Sequence, residues 1–526
     1  MKKIYLETFG CQMNVLDSEL VEGQLRLLGY DFVTDAQQAD IVLYNTCSVR
    51  EKSEQKVLSR LGRLRERKRG EPELIIGVIG CMAERDGMGM LKRWPQVDLL
   101  CGPGELDKLP RLLENVLATH KQQAALAGAN IRRSGTLAAA GEDHLELLDL
   151  SRSFSPEKNK YQAYIRVVRG CNKFCAYCVV PYTRGPEVSR TPQAILDEAR
   201  RLVDAGAREI TLLGQTVNHY VYEHTAASGP LGPLPRRTTF ADLLRLVHDQ
   251  VPQLPRLRFL TSFPADFGDD ILETMVDCPR ICRYLHIPAQ SGSNRILKLM
   301  NRGYTVESYL ELLARARSFM PGLAIVGDLI VGFPTETDAD YQATRELVTR
   351  ARYKNAFIFK YSPRPGTLAM RRHADDVPEA VKRFRNQDLL NLQNEICEQL
   401  NRELVGYTVA VLCEGPSGWN ESAESAISGA EHSQGAGARV QLGPKLSGLL
   451  RTRSRRAAAS DPAEAADYIQ LSGRTTADQI VVFDGPRNLE GLIVPIDVCL
   501  VHGLTIFGRF RQNDGLAATV APAAMA

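Results

Sequence analysis

The chain lacks any apolar run long enough to act as a secretory leader or to cross a bilayer. Its first residues, MKKIYLETFGCQMN, carry two lysines and then alternate like a strand. A cytosolic protein with no membrane partner is therefore expected, working as a monomer. An excess of charge is also missing. Lys and Arg number 65 against 62 Asp and Glu, a formal net charge of +3, which neither requires nor excludes a nucleic-acid partner, so any basic surface has to be local. The 12 cysteines sit in conspicuous local contexts, and in a reducing compartment that speaks for metal ligation over disulfides. Such thiolates oxidise once their iron is lost. At 526 residues the chain is too long for one ordinary core, so two or three domains are expected.

The most informative stretch runs from Tyr161 to Arg190, YQAYIRVVRGCNKFCAYCVVPYTRGPEVSR. Cys171, Cys175 and Cys178 stand there as Cys-x-x-x-Cys-x-x-Cys, beside Gly170, Phe174 and Tyr177. A closed zinc site wants a fourth ligand, and no other Cys or His lies nearby in sequence. Ordinary packing thiols are the plain alternative. Three thiolates on one short loop can hold three irons of a [4Fe-4S] cubane. The open fourth iron would then chelate a molecule offering an amine and a carboxylate, as S-adenosylmethionine does, and cofactor chemistry of that kind generates radicals.

The N-terminal part repeats one design three times. Ile4-Tyr5-Leu6 leads to Gly10-Cys11, Ile41 to Tyr44 leads to Thr46-Cys47, and Leu74 to Ile79 leads to Gly80-Cys81, with helical patterns at Ser18 to Leu28 and Lys52 to Arg69 between them. Strands alternating with helices imply a parallel sheet. Ligands gather at the carboxyl ends of such strands, so Cys11, Cys47 and Cys81 are expected to converge as a second three-thiolate site. Free cysteine is often simply buried, which leaves three separate packing thiols as the other reading. Cys101 has no such partner and reads as packing or a loop thiol, and Cys278 and Cys282, which lack further ligands, read as packing.

Residues 121–156 lose periodicity and read as a linker, partly disordered, between an N-terminal domain (1–120) and a second one (157–404). In the second, Thr191-Pro192 opens a helix that Gly206 ends. Strands are expected at Glu209 to Leu213, Arg256 to Leu260, Tyr284 to Ile287, Ile325 to Val331 and Ala356 to Tyr361, the cadence of a partial (β/α) barrel. At its strand ends stand Thr261-Ser262, His286, Gln290-Ser291 and Asp328, and Gly332 would allow a backbone to approach a cofactor closely. The Gly/Pro-punctuated loop Val221 to Arg237 either reaches over the mouth or is surface ornament. A long helix, Pro378 to Leu404, precedes short strands with Gly-bearing turns that suggest a small β-barrel at 405–512. Residues 416–468, rich in Ser, Gly, Ala and Glu and holding the basic run Arg451 to Arg456, read as a flexible insertion, and 513–526 as a disordered tail.

The loop of Cys171, with Val179-Val180-Pro181-Tyr182-Thr183-Arg184-Gly185 behind it, resembles the signature of the radical-SAM methylthiotransferases, in the version found in the branch that modifies tRNA. Gly10-Cys11-Gln12-Met13-Asn14, Asn45-Thr46-Cys47-Ser48-Val49-Arg50 and Gly80-Cys81-Met82-Ala83 resemble that family's three N-terminal motifs. The resemblance implies an α/β protein with a parallel N-terminal domain, a partial radical-SAM barrel and a TRAM-like RNA-binding β-barrel around Gly473-Arg474-Thr475. It implies two [4Fe-4S] clusters, on Cys171, Cys175 and Cys178 and on Cys11, Cys47 and Cys81, with Gln290, Ser291, Asp328 and the adenine-contacting segment Gly332-Phe333-Pro334 around S-adenosylmethionine. A 5′-deoxyadenosyl radical and a sulfur-carrying second cluster would place a methylthio group on C2 of N6-(dimethylallyl)adenosine in the anticodon stem-loop of tRNA, with a flavodoxin or ferredoxin as electron donor and an unidentified sulfur donor. A base in that loop is already exposed, which lowers the cost of reaching it. Relatives that act on a ribosomal-protein aspartate or on threonylcarbamoyl-adenosine differ at Gln12-Met13-Asn14 and Val180 to Arg184. From another class, a non-catalytic RNA-binding protein with structural metal sites would not cleave S-adenosylmethionine.

Overall fold

In a computed structural model of the chain, residues 2–48, 51–127, 149, 152, 154–224, 228–229, 232–233, 236–418 and 468–512 are described. Most of the expected linker and of the 416–468 insertion, including Arg451 to Arg456, the middle of the 221–237 loop and the tail 513–526 lie outside the described residues. No helix among the described residues is long and apolar enough to cross a membrane.

Ile, Val and Leu dominate the central N-terminal strands, and a strand apolar on both faces has to be covered on both. Ile41–Thr46 and Ile75–Gly80 are buried at every position. They lie inside a six-stranded parallel sheet ordered Asp31–Phe32, Lys3–Phe9, Ile41–Thr46, Ile75–Gly80, Leu99–Cys101, Gln123–Ala125. Alternate side chains face opposite layers. Ile41, Leu43, Ile75 and Ile79 pack under the helices Gln12–Leu27 and Leu109–Thr119, whereas Val42, Tyr44, Ile76 and Val78 pack under Glu51–Gly70, Cys81–Asp86 and Met88–Arg93. The first helix begins directly after Cys11 and not at Ser18. Its first turns are polar yet buried at Asn14, Asp17 and Ser18, which masks the apolar stripe that would have announced them.

The second domain carries six parallel strands in two sheets. Gln162–Arg166, Glu209–Leu213 and Arg256–Leu260 form one; Tyr284–His286, Ala324–Val331 and Asn355–Lys360 form the other. A parallel bridge between Leu257 and Ile281 links them into a partial barrel. Thr191 caps the helix Pro192–Asp204 by accepting from the Ala194 N–H, as its sequence predicts. Val221–Glu223 pairs with Arg237–Thr239, so the described ends of that loop form a hairpin stem. Two residues of the expected linker are firmly held. Asp149 and Arg152 are buried with Arg166, Arg190 and Glu198, through Arg166–Asp149 at 2.6 Å, Arg190–Glu198 at 2.6 Å and Arg152–Glu198 at 3.1 Å.

The helix Glu379–Arg402 leads into a closed barrel of five strands, Thr408–Pro416, Tyr468–Arg474, Ile480–Pro486, Thr505–Phe510 and Ile493–His502. This barrel docks on the amino ends of the radical-SAM-like strands. Arg256 donates to the carbonyls of Arg474 at 2.7 Å and Ala410 at 2.9 Å, Gln162 to Glu414 at 2.8 Å and Lys354 to the Asp478 carbonyl at 2.5 Å. Arg474 pairs with Glu414 at 3.0 Å and Asp478 at 2.8 Å. Arg474, in the stretch that resembles an RNA-binding module, thus lies at the seam between domains.

Candidate functional site

Register assembles the first cysteine trio. Phe9 pairs with Thr46 and Thr46 with Gly80, so three neighbouring strands end level, and the chain leaves them at Gly10-Cys11, Cys47 and Cys81. The exits are crowded. Gly10 has φ +144° and a Cβ there would lie 2.5 Å from that of Cys47, while Gly80 has φ +90° and a Cβ there would lie 2.4 Å from Asn45 Oδ1; both positions need glycine. Beneath them runs a buried polar web. Asn14 Nδ2 donates to Asn45 Oδ1 at 2.8 Å, and Asn45 Nδ2 donates to the Asn14 carbonyl at 2.8 Å and Ser18 Oγ at 2.9 Å. A hydrogen bond with Cys47, helped by the charge of Arg184, draws the Cys11 thiol down to about 6 against the cost of burial. Burial raises Cys81, and Arg184 opposes that rise.

The second trio lies on one loop that follows the strand Gln162–Arg166. Burial pushes the Cys171 thiol up to about 11 and raises Cys178 as well. Hydrogen-bond donors already point at the sulfurs. The Lys173 N–H reaches Cys171 Sγ at 3.5 Å, the Val180 N–H reaches Cys178 Sγ at 3.4 Å, and Arg302 Nη1 reaches Cys175 Sγ at 3.3 Å. Glu187 braces the loop from the side, accepting from the Asn172 N–H at 3.3 Å and Thr216 Oγ1 at 2.8 Å and lying 3.3 Å from His219 Nδ1.

Both trios meet one cavity of about 660 Å³, walled by Cys11, Cys47, Cys171, Cys175 and Cys178 and by the inward-facing residues of the barrel strands. Those residues follow the strand period of two, as in Glu209, Thr211 and Leu213 or Phe357 and Phe359. Gln290 and Asp328 are on the wall, as are Thr261, Ser262 and His286; the His286 ring joins Thr261 Oγ1 at 3.0 Å to Asp328 Oδ1 at 3.3 Å. Cys81 lies just behind, buried against Arg184 and Cys11. Ser291 and Gly332-Phe333-Pro334 also stand behind the wall. Ser291 meets Thr344, Phe333 packs with Ala176, Met300 and Tyr361 under the cysteine loop, and what comes close to Gly332 is Lys382, whose Cγ a Cβ would meet at 2.4 Å.

The donor set suits iron–sulfur clusters. It is all cysteine sulfur, the donor such clusters take. Tetrahedral zinc holds its sulfurs about 3.8 Å apart, yet among the described residues the group with three donor atoms all within 4.8 Å of one another is His248, Asp249 and Cys278, which is not on the cavity. Arg258 Nη1 and Ser262 Oγ are buried without a partner on residues that line the same cavity, polar atoms that a bound ligand would satisfy.

The described family model for an uncharacterized protein family, UPF0004, matches residues 3–102, and that of the Radical SAM superfamily matches residues 165–348. A protein of Rhodopirellula baltica named tRNA-2-methylthio-N(6)-dimethylallyladenosine synthase is 42% identical over 513 residues, 98% of this chain and 96% of that one. The protein of that name from Akkermansia muciniphila is 39% identical over 508 residues, 97% and 98% of the two chains. The chain belongs to the tRNA-2-methylthio-N(6)-dimethylallyladenosine synthase family. Among solved structures, the radical S-adenosylmethionine methyltransferase TsrM of Kitasatospora setae shares the fold, with a TM-score of 0.51 at 14% identity over 70% of this chain and 74% of that one.

Several members of the site are not visible in the sequence. Arg302, Phe263 and Glu187 carry no motif of their own. For Arg184 the available signal is its place in the Val179 to Gly185 stretch, whereas Arg302 reaches its cysteine across 127 positions.

Proposed function

We propose that this chain methylthiolates C2 of N6-(dimethylallyl)adenosine beside the anticodon of tRNA. The observation that carries the reading is one cavity lined by five cysteines of two separately built trios, with Cys81 just behind it. Cys171, Cys175 and Cys178 hold one [4Fe-4S] cluster and Cys11, Cys47 and Cys81 a second, with S-adenosylmethionine between them. Bound there, these groups supply hydrogen abstraction by a radical and the sulfur and methyl that are transferred. The chain positions and shields. Gln290 and Asp328 contact S-adenosylmethionine from the wall, and Ser291, Gly332, Phe333 and Pro334 set the wall's shape from behind. Phe263, Phe357, Phe359 and Tyr177 make an apolar lining that keeps water from a reactive species. At the far end Glu414, Arg474 and Asp478 of the small barrel close the chamber. The enzyme works in the cytosol as a monomer on the anticodon stem-loop, supplied with electrons by a flavodoxin- or ferredoxin-like donor.

Anaerobic reconstitution with iron and sulfide, reaction with hypomodified tRNA and mass analysis of the nucleosides test the proposal. A product heavier by one methylthio group on dimethylallyladenosine is expected. Methylthiolated threonylcarbamoyl-adenosine, or no cleavage of S-adenosylmethionine at all, would overturn it.

A further inference from the structure

Each cysteine trio has one buried arginine beside it, and the two arginines differ in what surrounds their charge. Arg302 donates from Nη1 to Cys175 Sγ at 3.3 Å, from Nη2 to the Pro288 carbonyl at 3.0 Å and from Nε to the Tyr304 hydroxyl at 2.8 Å. Its guanidinium lies 4.4 Å from the ring centre of Phe263 and 5.2 Å from that of Tyr304. Apart from the Cys175 sulfur, these partners are one neutral carbonyl, a phenol and aromatic faces. Among the described residues Arg302 forms no ion pair with a carboxylate, and Lys173, the other cation on Phe263, is already paired with Asp266 at 2.8 Å. Arg302 therefore presents an undiminished positive charge to Cys175.

Arg184 is placed differently. It follows the short helix Val180–Thr183, only a few residues after Cys178, yet it points away from its own loop toward the other trio. It acts electrostatically on both Cys81 and Cys11. Asp17, from the helix Gln12–Leu27, holds it through Nη2 at 2.7 Å, and both side chains are buried. Arg184 and Asp17 act on Cys81 in opposite senses. What the N-terminal trio meets is a nearly neutral pair.

The potential of an iron–sulfur cluster is set by the net charge around it, by hydrogen bonds to its sulfurs and by solvent exposure. Reduction adds one negative charge to the cluster, and a nearby buried cation favours that reduced form. We infer that Arg302 raises the reduction potential of the loop cluster while the Arg184–Asp17 pair leaves that of the N-terminal cluster low, so that the first electron from a one-electron donor goes to the loop cluster. The inference rests on the reading of both trios as cluster ligands. It makes Arg302 and Asp17 positioning residues of opposite effect, one exposing a charge to its cluster and the other cancelling one.

The test is an anaerobic potentiometric titration of the full reconstituted chain without S-adenosylmethionine, followed by electron paramagnetic resonance. Cys47→Ala and Cys175→Ala chains, each retaining one cluster, assign the two signals. In the unaltered chain the loop cluster is expected at the higher potential. Arg302→Gln is expected to lower the loop cluster's potential and leave the other in place, with Arg302→Lys restoring much of the difference. Asp17→Asn, which nearly preserves shape while uncovering Arg184, is expected to raise the N-terminal cluster alone and narrow the gap. Equal potentials in the unaltered chain overturn the inference, as do unchanged potentials in both Arg302→Gln and Asp17→Asn at full iron content. A shift in Arg302→Gln that arises only once S-adenosylmethionine is added also overturns it, making Arg302 a contact to that cofactor's carboxylate. Iron for a single cluster in the unaltered chain instead sinks the two-cluster reading, and the inference with it.

Discussion

The two cysteine trios reach one cavity by opposite routes. Cys171, Cys175 and Cys178 lie within one loop, and their proximity is a matter of chain connectivity. Cys11, Cys47 and Cys81 come from three strands and meet because the pairs Phe9 with Thr46 and Thr46 with Gly80 bring the strands to a common edge. The first site is as local as a motif can be. The second exists only when a parallel sheet has formed in register, since a one-residue slip would turn a cysteine to the other face. Insults to folding should therefore fall on the N-terminal trio before the loop.

The largest effect that separates the two is loss of a ligand from each. Cys175→Ala is expected to abolish release of 5′-deoxyadenosine, whereas Cys47→Ala should retain it and lose the methylthiolated nucleoside. Methylthiolated tRNA from Cys47→Ala would remove the N-terminal trio from the chemistry. Next comes Gly80→Ala, which forces a Cβ against Asn45 Oδ1 and the Thr46 carbonyl at positive φ. A cost of about 2–4 kcal/mol in chemical denaturation is expected, with bound iron falling from about eight to about four per chain. Full iron retention would show that the sheet edge is more yielding than its packing implies.

A smaller effect is expected of Asn45→Ala, which removes the centre of the polar web under the first trio and takes the acceptor from Asn14 Nδ2, while Ser18 keeps Thr8 Oγ1 at 2.7 Å. It should cost about 1–3 kcal/mol and speed iron release from the N-terminal site while leaving 5′-deoxyadenosine formation unchanged. Equal iron loss from both sites would break the contrast. The smallest concerns the brace of the loop. Hydrogen bonds to Glu187 and Asp266 outweigh partial burial and raise the pKa of His219 above its ordinary value. The stabilisation from its protonated form is present in full below the unfolded-state pKa of about 6.5 and fades as pH rises through the higher folded value. Comparing the stability of the chain and of His219→Gln across that window should show the difference shrinking with rising pH; a constant difference would sink the assignment.

Local chemistry was readable without coordinates, and so was the direction of the strand ends. The spacing around Cys175 names three thiolate donors by itself, and the β-branched runs before Cys11, Cys47 and Cys81 point to a parallel sheet whose carboxyl ends collect ligands. The same reasoning could not see Asp149 and Arg152, placed in a stretch without periodicity but buried among Arg166, Arg190 and Glu198. Nor could it place Arg474, which lies in a stretch resembling an RNA-binding module and is held by Glu414 and Asp478 against the barrel floor. Gly332 has the backbone freedom expected of it, with φ +70°, and Lys382 packs where a Cβ on it would lie.

The order of residues alone determined which sulfurs stand in metal-binding spacing and which segments lie in parallel sheets, because donor type and hydrophobic period belong to neighbouring residues. The tertiary structure decided what charge each donor set feels. An arginine is the same cation wherever it stands in a sequence, and only its partner, Asp17 for Arg184 and aromatic faces for Arg302, settles whether that charge is cancelled or delivered. Those partners are brought together by packing across distant parts of the chain, where burial weakens screening by water and makes the difference count.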